Sequence, residues 1–597
     1  MKKTRKRICK SLIFACVIFI IQPTVAFAEE RNPSLTSEIT ALNTSAMGSL
    51  GTSKMQNYDI TTSFTDINFR NCILALLGKS EGSPIYKNDI KDITKLNVSY
   101  KNIKSLDGIE YFEKLEHLNC SENNLLTLDI SKNTGLTELR CAGDQLANLS
   151  ICNNKNLTIL FCDGNQLSSL DISKNTGLTD LVCDSNQLSS LDISKNTGLT
   201  SLVCDGNQLS SLDISKNTEL TDLECEDNQL PSLNISNNKN LTTLLCGSNQ
   251  LSTLDTSENT GITDLECEDN QLSALNISNN KNLIVLDCSS NQLSTLDISK
   301  NTKLTDLRCE ENQLSALNIS NNINLDILEC FTNYLSALDT SKNTGLTHMN
   351  CYDNHLTNLN ISNNKNLTAL KCSSNQLSVL DISKNTELTD LRCEDNHLTN
   401  LNISNNKNLT ILECSRNQLS ALDISKNIGL TGLYCDDNHL INLNINNNKN
   451  ITILVCGSNQ LSALDTSNNT ELTVLDCRNN RFSVLDISKN TGLTDLSCSN
   501  NQLSTLIISN NMLLTELDCR NNHLSFLDIS NNKDLDSLYC SSNQLSVLDI
   551  SNNKLLTELD CRNNRLSTLD ISKNKMLSIL QCDKKQVNII GGKTSSL

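Results

Sequence analysis

Apolar residues recur along most of this chain with a period of 21 residues. In residues 178–198, LTDLVCDSNQLSSLDISKNTG, leucines, an isoleucine and one cysteine hold the same places as in the neighbouring repeats. The cysteine returns at this spacing from Cys120 to Cys582, twenty-three times in all. A fixed period of this length, with the order L-x-x-L-x-C-x-x-N-x-L, is typical of a leucine-rich repeat solenoid.

The alternation of side chains within one repeat predicts where its strand lies. Leu181 and Cys183 should point into the core and Val182 should point out, because neighbouring side chains of a strand face opposite ways. Asn186 follows at the first turn, where a buried amide can bond backbone groups that no neighbouring strand reaches. Asn196 marks the second turn. Stacking then buries the apolar face that one repeat cannot bury alone.

The pattern therefore predicts an α/β repeat fold rich in β-structure: a right-handed leucine-rich repeat solenoid with one long parallel sheet on its concave face. A repeat of 21 residues cannot hold a strand, two turns and a long helix, so the convex wall should be extended or built of short turns. Before the repeats, Asp66 is suited to begin a helix. The apolar positions at helical spacing after it are Phe69, Cys72, Ile73, Leu76 and Leu77. We expect this short N-terminal helical cap to cover the open edge of the sheet.

The N-terminus has the features of an export signal. Basic residues precede an apolar run at 11–21 and the small residues Ala26 and Ala28, so cleavage should leave Glu29 as the first residue. No later segment is apolar enough to span a bilayer. The predicted segments are a signal peptide at 1–28, a flexible leader at 29–57, the helical cap at 58–95, the solenoid at 96–582 and a short C-terminal tail at 583–597.

An exported chain with 27 cysteines raises the question of disulfides. Each repeated cysteine replaces an inward leucine, and a buried free cysteine behaves as a small apolar residue. Parallel neighbours lie about 4.8 Å apart with parallel Cβ vectors, whereas a disulfide needs Cβ atoms roughly 3.5–4.5 Å apart and a near-perpendicular twist. The sequence thus favours buried thiols over disulfides.

Composition narrows the function. The formal charge of −18, the aromatic content of 3% and the absence of tryptophan argue against nucleic-acid binding. His355, His397 and His439 are spaced two repeats apart, about 10 Å by strand spacing, which is too far to share a metal ion. No nucleophile has a recognisable base beside it. We predict no enzymatic activity, no catalytic residue, no cofactor and no metal ligand.

The outward positions of the predicted strands vary where the core does not, and they are the candidates for binding a partner. Apolar residues on a solvated sheet face often mark contacts, although three such residues can also lack any role. The candidate residues are an apolar patch of Phe161, Val182 and Val203, an acidic row of Asp163, Asp184, Asp205 and Glu226, and the aromatic residues Phe331, Tyr352 and Tyr434. Towards the C-terminus, Arg478, Arg520 and Arg562 predict a locally basic surface.

One family resemblance supports this interpretation. Residues 96–115, LNVSYKNIKSLDGIEYFEKL, resemble the entry repeats of bacterial internalins, and SFTDINF at 63–69 resembles their helical cap. The 21-residue repeat with a strand cysteine is similar to that of one internalin. The resemblance implies a secreted or wall-attached protein of a Gram-positive bacterium, often an adhesin that binds a host surface receptor through its concave face.

The sequence departs from that family at its C-terminal end. Internalins usually continue into an immunoglobulin-like domain and an LPxTG wall-sorting motif, whereas this sequence ends in QVNIIGGKTSSL. The expectation is a secreted protein, either released or held non-covalently at the cell surface. Only Val587, Ile589 and Ile590 offer apolar cover after Cys582. We expect the last repeats to fray, or two molecules to associate through this edge.

Two functions follow from the sequence. The first is a secreted internalin-like protein that binds a protein or glycan partner through its concave face, with a role in host-cell adhesion. The alternative is a structural or envelope-associated solenoid, binding calcium, with no specific host ligand.

Overall fold

The computed structural model shows the repeats as stacked coils, each contributing one short strand to a continuous parallel sheet. It describes residues 57–583 and 585–591, and from Tyr58 onward the chain forms one unit. The predicted signal peptide at 1–28 and the leader at 29–57, apart from Asn57, lie outside the described residues. The predicted leucine-rich repeat solenoid is confirmed.

Twenty-four strands form one sheet, in which each strand pairs in parallel with that of the next repeat. The pairing is in register, so that Leu181 lies opposite Leu202. The strands of this sheet are β1 (Lys95–Asn97), β2 (His117–Asn119), β3 (Glu138–Arg140), β4 (Ile159–Phe161), β5 (Asp180–Val182), β6 (Ser201–Val203), β7 (Asp222–Glu224), β8 (Thr243–Leu245), β9 (Asp264–Glu266), β10 (Val285–Asp287), β11 (Asp306–Arg308), β12 (Ile327–Glu329), β13 (His348–Asn350), β14 (Ala369–Lys371), β15 (Asp390–Arg392), β16 (Ile411–Glu413), β17 (Gly432–Tyr434), β18 (Ile453–Val455), β19 (Val474–Asp476), β20 (Asp495–Ser497), β21 (Glu516–Asp518), β22 (Ser537–Tyr539), β23 (Glu558–Asp560) and β25 (Ile579–Gln581).

Short helical segments precede and flank the first strand. They are the 3-10 turn Thr61–Ser63, α1 (Ile67–Leu76), α2 (Lys87–Ile90) and the 3-10 turn Ile109–Tyr111. As predicted, Asp66 caps α1, accepting hydrogen bonds from the amides of Asn68 and Phe69 at 2.8 and 3.0 Å. The same carboxylate accepts a bond of 2.7 Å from the Lys104 amide, which joins the cap to the first repeat.

The buried face of α1 differs from the predicted one at two positions, Leu74 and Leu76. Phe69 and Ile73 are fully buried, as expected, and Leu74 is buried with them. Leu76, by contrast, is 53% exposed. The prediction for Leu76 was wrong because the buried face is centred near Ile73 and Leu74, and the helical turn places Leu76 to one side of it.

The solenoid core is filled from two walls. Leu181 and Cys183 enter it from the strand, while Leu188, Leu191 and Ile193 enter it from the opposite side, and all five are buried. Between 120 and 567 the convex wall is built of turns, bends and a few isolated bridges, as the repeat length requires. Among the described residues, no helix is long and apolar enough to cross a membrane.

The described cysteines from Cys72 to Cys561 are free thiols. The repeated cysteines are buried from Cys120 to Cys561, Cys582 is half-buried, and Cys152, which lies outside the series, is exposed. Burial raises the pKa of the buried thiols, to about 12 at Cys561, so they stay protonated. A protonated, buried thiol is unreactive, which makes the series a packing feature.

A turn after each strand from β2 to β23 holds an asparagine, with one exception, and these positions from 123 to 564 form what we call the strand-end row. The Nδ2 of Asn186 donates to the carbonyls of Cys162, Cys183 and Asp184 at 3.0, 3.2 and 3.1 Å. Its Oδ1 accepts a bond of 2.9 Å from the Leu167 amide. Both halves of the amide are therefore used to join one coil to the preceding one, as the sequence predicted.

A second row, at the second turn, has a different bonding pattern. Asn196 is 0% exposed, and its Nδ2 donates to the carbonyls of Ile172 and Asn175 at 3.2 and 2.8 Å. Its Oδ1 has no hydrogen-bond partner among the described residues. The equivalent asparagines, from Asn133 to Asn574, make up what we call the second-turn row. The period placed Asn196 at this turn but did not reveal a second buried row.

Three members of the second-turn row do have a bonded oxygen. Where most repeats bury an isoleucine, three bury a threonine whose Oγ1 donates to the Oδ1 of an asparagine in the next coil at 2.7 Å. The pairs are Thr256 with Asn280, Thr340 with Asn364 and Thr466 with Asn490.

The C-terminal segment continues the stack for part of a coil. β24 (Thr568–Asp570) and β26 (Asn588–Ile590) pair in parallel as a separate two-stranded sheet. Of the apolar cover predicted for this end, Val587 is buried and Ile589 is partly buried against the core, whereas Ile590 is 47% exposed. Fraying or self-association at this edge stays a prediction.

Candidate functional site

The concave side of the sheet, which we call the strand face, carries the candidate residues. Two residues of each strand point outward on it, and the residue after each repeated cysteine lies beside them. All ten predicted side chains are on this face and all are half-buried: Phe161, Val182, Val203, Asp163, Asp184, Asp205, Glu226, Phe331, Tyr352 and Tyr434.

The apolar patch is continuous but partly covered. Phe161, Val182 and Val203 lie opposite one another in the register of β4, β5 and β6. The guanidinium of Arg140, on β3, lies 4.1 Å from the centre of the Phe161 ring. Arg140 also pairs with Glu138 of its own strand. The 21-residue period did not predict this contact between guanidinium and ring, because the contact depends on the rotamer of Arg140.

The three aspartates of the acidic row lie in an environment that raises their pKa and so favours the neutral form. Burial, and then Asp184, raise the pKa of Asp163 to about 6. Burial, and then Glu224, raise the pKa of Asp205 to about 8, although Asp205 accepts a bond of 2.7 Å from the Glu226 amide. Carboxylates crowded on a sheet without enough cations repel each other. A positive charge added to this part of the strand face would therefore reduce the repulsion between its carboxylates.

Further along, three glutamates converge from coils that are two repeats apart. One carboxylate oxygen from each of Glu226, Glu266 and Glu268 lies within 4.8 Å of the others. Glu268 is 5% exposed, and its carboxylate occupies the space that a Cβ at Gly247 would fill. Burial, and then Glu268, raise the pKa of Glu266 to about 8. Gly247 holds the same repeat position as Glu226 and Glu268 in the coil between them, and this was the sequence signal that could have revealed the group.

This glutamate group bears on the prediction that the chain has no metal ligands. Among the residues that the structure describes, it is the one group of acidic, histidine or cysteine side chains close enough to hold an ion. Its three carboxylates suit a hard divalent cation. The histidines predicted to lie apart on exposed turns, His355, His397 and His439, are exposed.

Arginines on the strand face are paired with carboxylates. Arg308 contacts Asp306 at 3.1 Å, and Arg392 contacts both Asp390 at 3.1 Å and Glu413 at 2.9 Å. The later arginines repeat this pattern two residues from an aspartate: Arg478 with Asp476, Arg520 with Asp518 and Arg562 with Asp560. The predicted locally basic surface is wrong, because each arginine there is neutralised by its own coil.

The aromatic candidates are not equivalent. Phe331 and Tyr352 stack with ring centres 4.7 Å apart and planes 11° apart. The rings of Tyr334 and His355 meet edge to face at 5.9 Å, at the next turn of the same two coils. Tyr434 stands apart from them, and a Cβ at Gly432 would lie 3.3 Å from its ring. Phe331 and Tyr352 are the pair that can offer a flat apolar surface to a partner.

Comparison with known proteins identifies related solved structures. No protein-family model matches the sequence, and neither does any curated protein. Among solved structures, the functional domain of InlJ from Listeria monocytogenes, which includes a cysteine ladder, is similar at 32% identity and a TM-score of 0.54, over 63% of this chain and 79% of that one.

Two plant structures share the fold at lower identity. The peptide hormone receptor RGFR1 in complex with RGF2 is 24% identical, with a TM-score of 0.70 over 84% of this chain and 95% of that one. The ectodomain of GASSHO1/SCHENGEN3 from Arabidopsis thaliana, in complex with CASPARIAN STRIP INTEGRITY FACTOR 2, is 21% identical, with a TM-score of 0.65 over 83% of this chain and 76% of that one.

The cysteine ladder is the feature that the InlJ domain and this chain have in common. Here the ladder is the continuous file of buried thiols that runs along the parallel sheet, one in each 21-residue coil. The plant receptors share the fold alone. With nearly four-fifths of the InlJ domain matched at 32% identity, the chain belongs to the internalin family of leucine-rich repeat proteins.

Proposed function

We propose that this protein is a secreted binding protein whose strand face holds a protein partner through basic side chains of that partner, with adhesion to host cells as its role. The observation that carries the proposal is a difference between equivalent strands. In β11 and β15 the outward residues are Asp–Arg pairs in contact, whereas in β7 and β9 they are Asp222 with Glu224 and Asp264 with Glu266.

The strands that contain an Asp–Arg pair indicate which group could bind at the strands that lack the arginine. At β11 an aspartate in the first outward position binds a guanidinium at 3.1 Å. At β9 the same position holds Asp264, whose Oδ1 has no hydrogen-bond partner among the described residues, and burial raises its pKa to about 6. An arginine or lysine of a partner would supply the missing charge. Such complementarity selects partners and speeds their association.

Stacked rings border the acidic region on one side and the apolar patch borders it on the other. Phe331 and Tyr352 follow the acidic strands, and Phe161, Val182 and Val203 precede them. Aromatic and apolar anchors beside charged groups are typical of protein interfaces.

Two further observations support a secreted protein with a protein partner. The plant peptide hormone receptor RGFR1, which has the same fold, is in complex with RGF2, so a solenoid of this kind can hold a peptide ligand. Secretion is supported by the export-signal pattern at 1–28. A glycan partner is therefore an outcome of the test below and not the proposal.

A pull-down from a detergent extract of host-cell surfaces tests the proposal. The wild-type chain should retain one or more proteins, and the double variant Glu224→Gln, Glu266→Gln should bind them about tenfold or more weakly. Retention should also fall as salt is raised, since the attraction is between charges. Enzymatic removal of glycans from the extract should leave retention unchanged; loss of retention would identify a glycan partner instead.

The matched control changes the same charge elsewhere. Glu219 and Glu387 are exposed at the second turn, away from the strand face. The double variant Glu219→Gln, Glu387→Gln should bind like the wild type. Equal binding by all three proteins, or equal loss in both variants, would contradict a site at Glu224 and Glu266.

A second candidate function is calcium binding by an envelope-associated solenoid, and the Glu226, Glu266 and Glu268 group favours it. Three carboxylates supply part of the roughly six to eight oxygens that Ca²⁺ takes. Calorimetric titration of the chain with calcium alone would show saturable heat that Glu268→Gln removes. Absence of heat in the wild type would exclude this function while leaving partner binding untouched.

A further inference from the structure

One member of the strand-end row is an acid. Every repeat from Asn123 to Asn564 has asparagine in this row except one, which has Asp144. The Asp144 side chain is 7% exposed. Its Oδ1 accepts a bond of 2.8 Å from the Leu125 amide, as the asparagines do in their coils. Its Oδ2 has no hydrogen-bond partner among the residues that the structure describes.

The next coil shows what this Oδ2 faces. The Nδ2 of Asn165 donates to the carbonyls of Cys141 and Cys162 at 2.8 and 3.1 Å. By the 21-residue register, Oδ2 of Asp144 takes the place of a nitrogen that would donate to the carbonyls of Cys120 and Cys141. An ionised carboxylate can only accept, so it meets these carbonyl oxygens with repulsion. A protonated carboxyl has an O–H that can donate.

We propose that Asp144 is a proton-dependent joint in the strand-end row. When it is protonated, its single O–H donates to one of these carbonyls and the row continues through this coil. When it ionises, the row is interrupted between Asn123 and Asn165, and the coils on either side are held less firmly.

The groups around Asp144 favour its neutral form. Burial raises the pKa of the Asp144 carboxyl to about 6, and Glu122 of the preceding coil adds to the rise, while the amides of Leu125 and Asn123 act against it. The Glu122 carboxylate occupies the space that a Cβ at Gly143 would fill.

The remaining charged and titratable neighbours do not reverse this preference. Arg140 of the same coil is paired with Glu138, and Asp163 of the following coil is a further acid. The neighbouring thiols, Cys120 and Cys141, stay neutral because burial raises their pKa.

The sign of the pH dependence follows. The pKa of Asp144 in the folded chain, about 6, lies above its usual value of 3.8. The folded protein therefore holds this proton more tightly than the unfolded chain does. The stabilisation is complete below about pH 4 and is lost as the pH rises to about 6. A difference of about two pKa units corresponds to at most roughly a hundredfold change in the local opening equilibrium.

Hydrogen exchange of the Leu125 amide in the full chain tests the proposal. The wild type and Asp144→Asn are compared at the same pH, so that the intrinsic exchange rate cancels. The ratio of the two rates should be near one at about pH 4 and should rise up to about a hundredfold in favour of faster wild-type exchange by about pH 7.5. A ratio that stays constant over this range would overturn the proposal.

The reverse substitution provides a second measurement. Asn186→Asp places a carboxyl at the equivalent position, where the Leu167 amide donates to the side chain at 2.9 Å. Exchange at Leu167, relative to the wild type, should acquire the pH dependence that Asp144→Asn removes from Leu125. If Leu167 exchange rises by the same factor at every pH, the row is sensitive to the substitution but not to a proton, and the joint does not exist.

Discussion

The two asparagine rows run in parallel through the same coils, yet they use the amide differently. In the strand-end row, Asn186 donates three hydrogen bonds and accepts one, so it joins both the carbonyls and an amide of the chain. In the second-turn row, Asn196 donates two and accepts none from the described residues. A buried polar group that lacks a partner costs about 1–3 kcal/mol.

The difference shows that the side-chain oxygen bonds the backbone in one row and, in most repeats, has no donor in the other. At the first turn the chain leaves the sheet through a left-handed residue, such as Ser185 with φ 53°, and the Leu167 amide beside it is bonded by a side-chain oxygen. At the second turn the backbone bonds to itself, as the Asn196 amide does to the Ile193 carbonyl at 3.0 Å. The asparagine there donates to carbonyls, and its own buried oxygen accepts no hydrogen bond from the described residues except where one of the three threonines donates to it.

The largest expected effect separates the rows directly. Asn186→Ala removes four hydrogen bonds and leaves the Leu167 amide buried without a partner, so local stability should fall by about 2–4 kcal/mol. Asn196→Ala removes two bonds to carbonyls and with them an unbonded oxygen, so the loss should be about 1–2 kcal/mol. Hydrogen exchange of the amides in the flanking coils measures both. Equal losses would mean that the bonded oxygen contributes nothing.

A smaller effect is expected at the threonines. Thr256→Val keeps the shape of the side chain but leaves the Oδ1 of Asn280 without its donor, so the cost should be about 1 kcal/mol. The same measurement at Thr340→Val provides a replicate in a different coil. Unchanged stability in both variants would show that the buried oxygens of this row carry no penalty.

The smallest effect is the reverse change. Ile277→Thr puts a hydroxyl at the position from which Thr256 bonds the next coil, and it would give the Oδ1 of Asn301 a donor. The gained bond should offset the lost methyl burial, leaving stability within about 1 kcal/mol of the wild type. A loss well above that would show that packing outweighs the hydrogen bond at this wall.

Much of the fold could be predicted because the period determines it. The alternation at Leu181, Val182 and Cys183 predicted the strand and its buried face, and the place of Asn186 after it predicted the strand-end row. The helix start at Asp66 followed from capping chemistry. The strand and the row depend on backbone geometry that repeats every 21 residues, so one repeat is enough to infer both.

The candidate site was less predictable because the contacts of long side chains depend on their rotamers. The sequence placed the acidic row on the strand face but did not show that Glu268 reaches over Gly247 towards Glu226. It also did not show that Arg478 bends back to its own aspartate, which is why a basic surface was predicted where the charges cancel. Such pairings depend on rotamers, which the period does not determine.

The bonding of the strand-end row also bears on how the gene can change. Asn186 and Asn417 are bonded to the coils before them by the same bonds, although eleven repeats separate them, so a coil does not depend on its number in the series. Loss or gain of whole coils by unequal recombination would therefore leave each remaining junction chemically the same. The length of the solenoid can therefore change during evolution in steps of 21 residues without changing how each coil is bonded to the next.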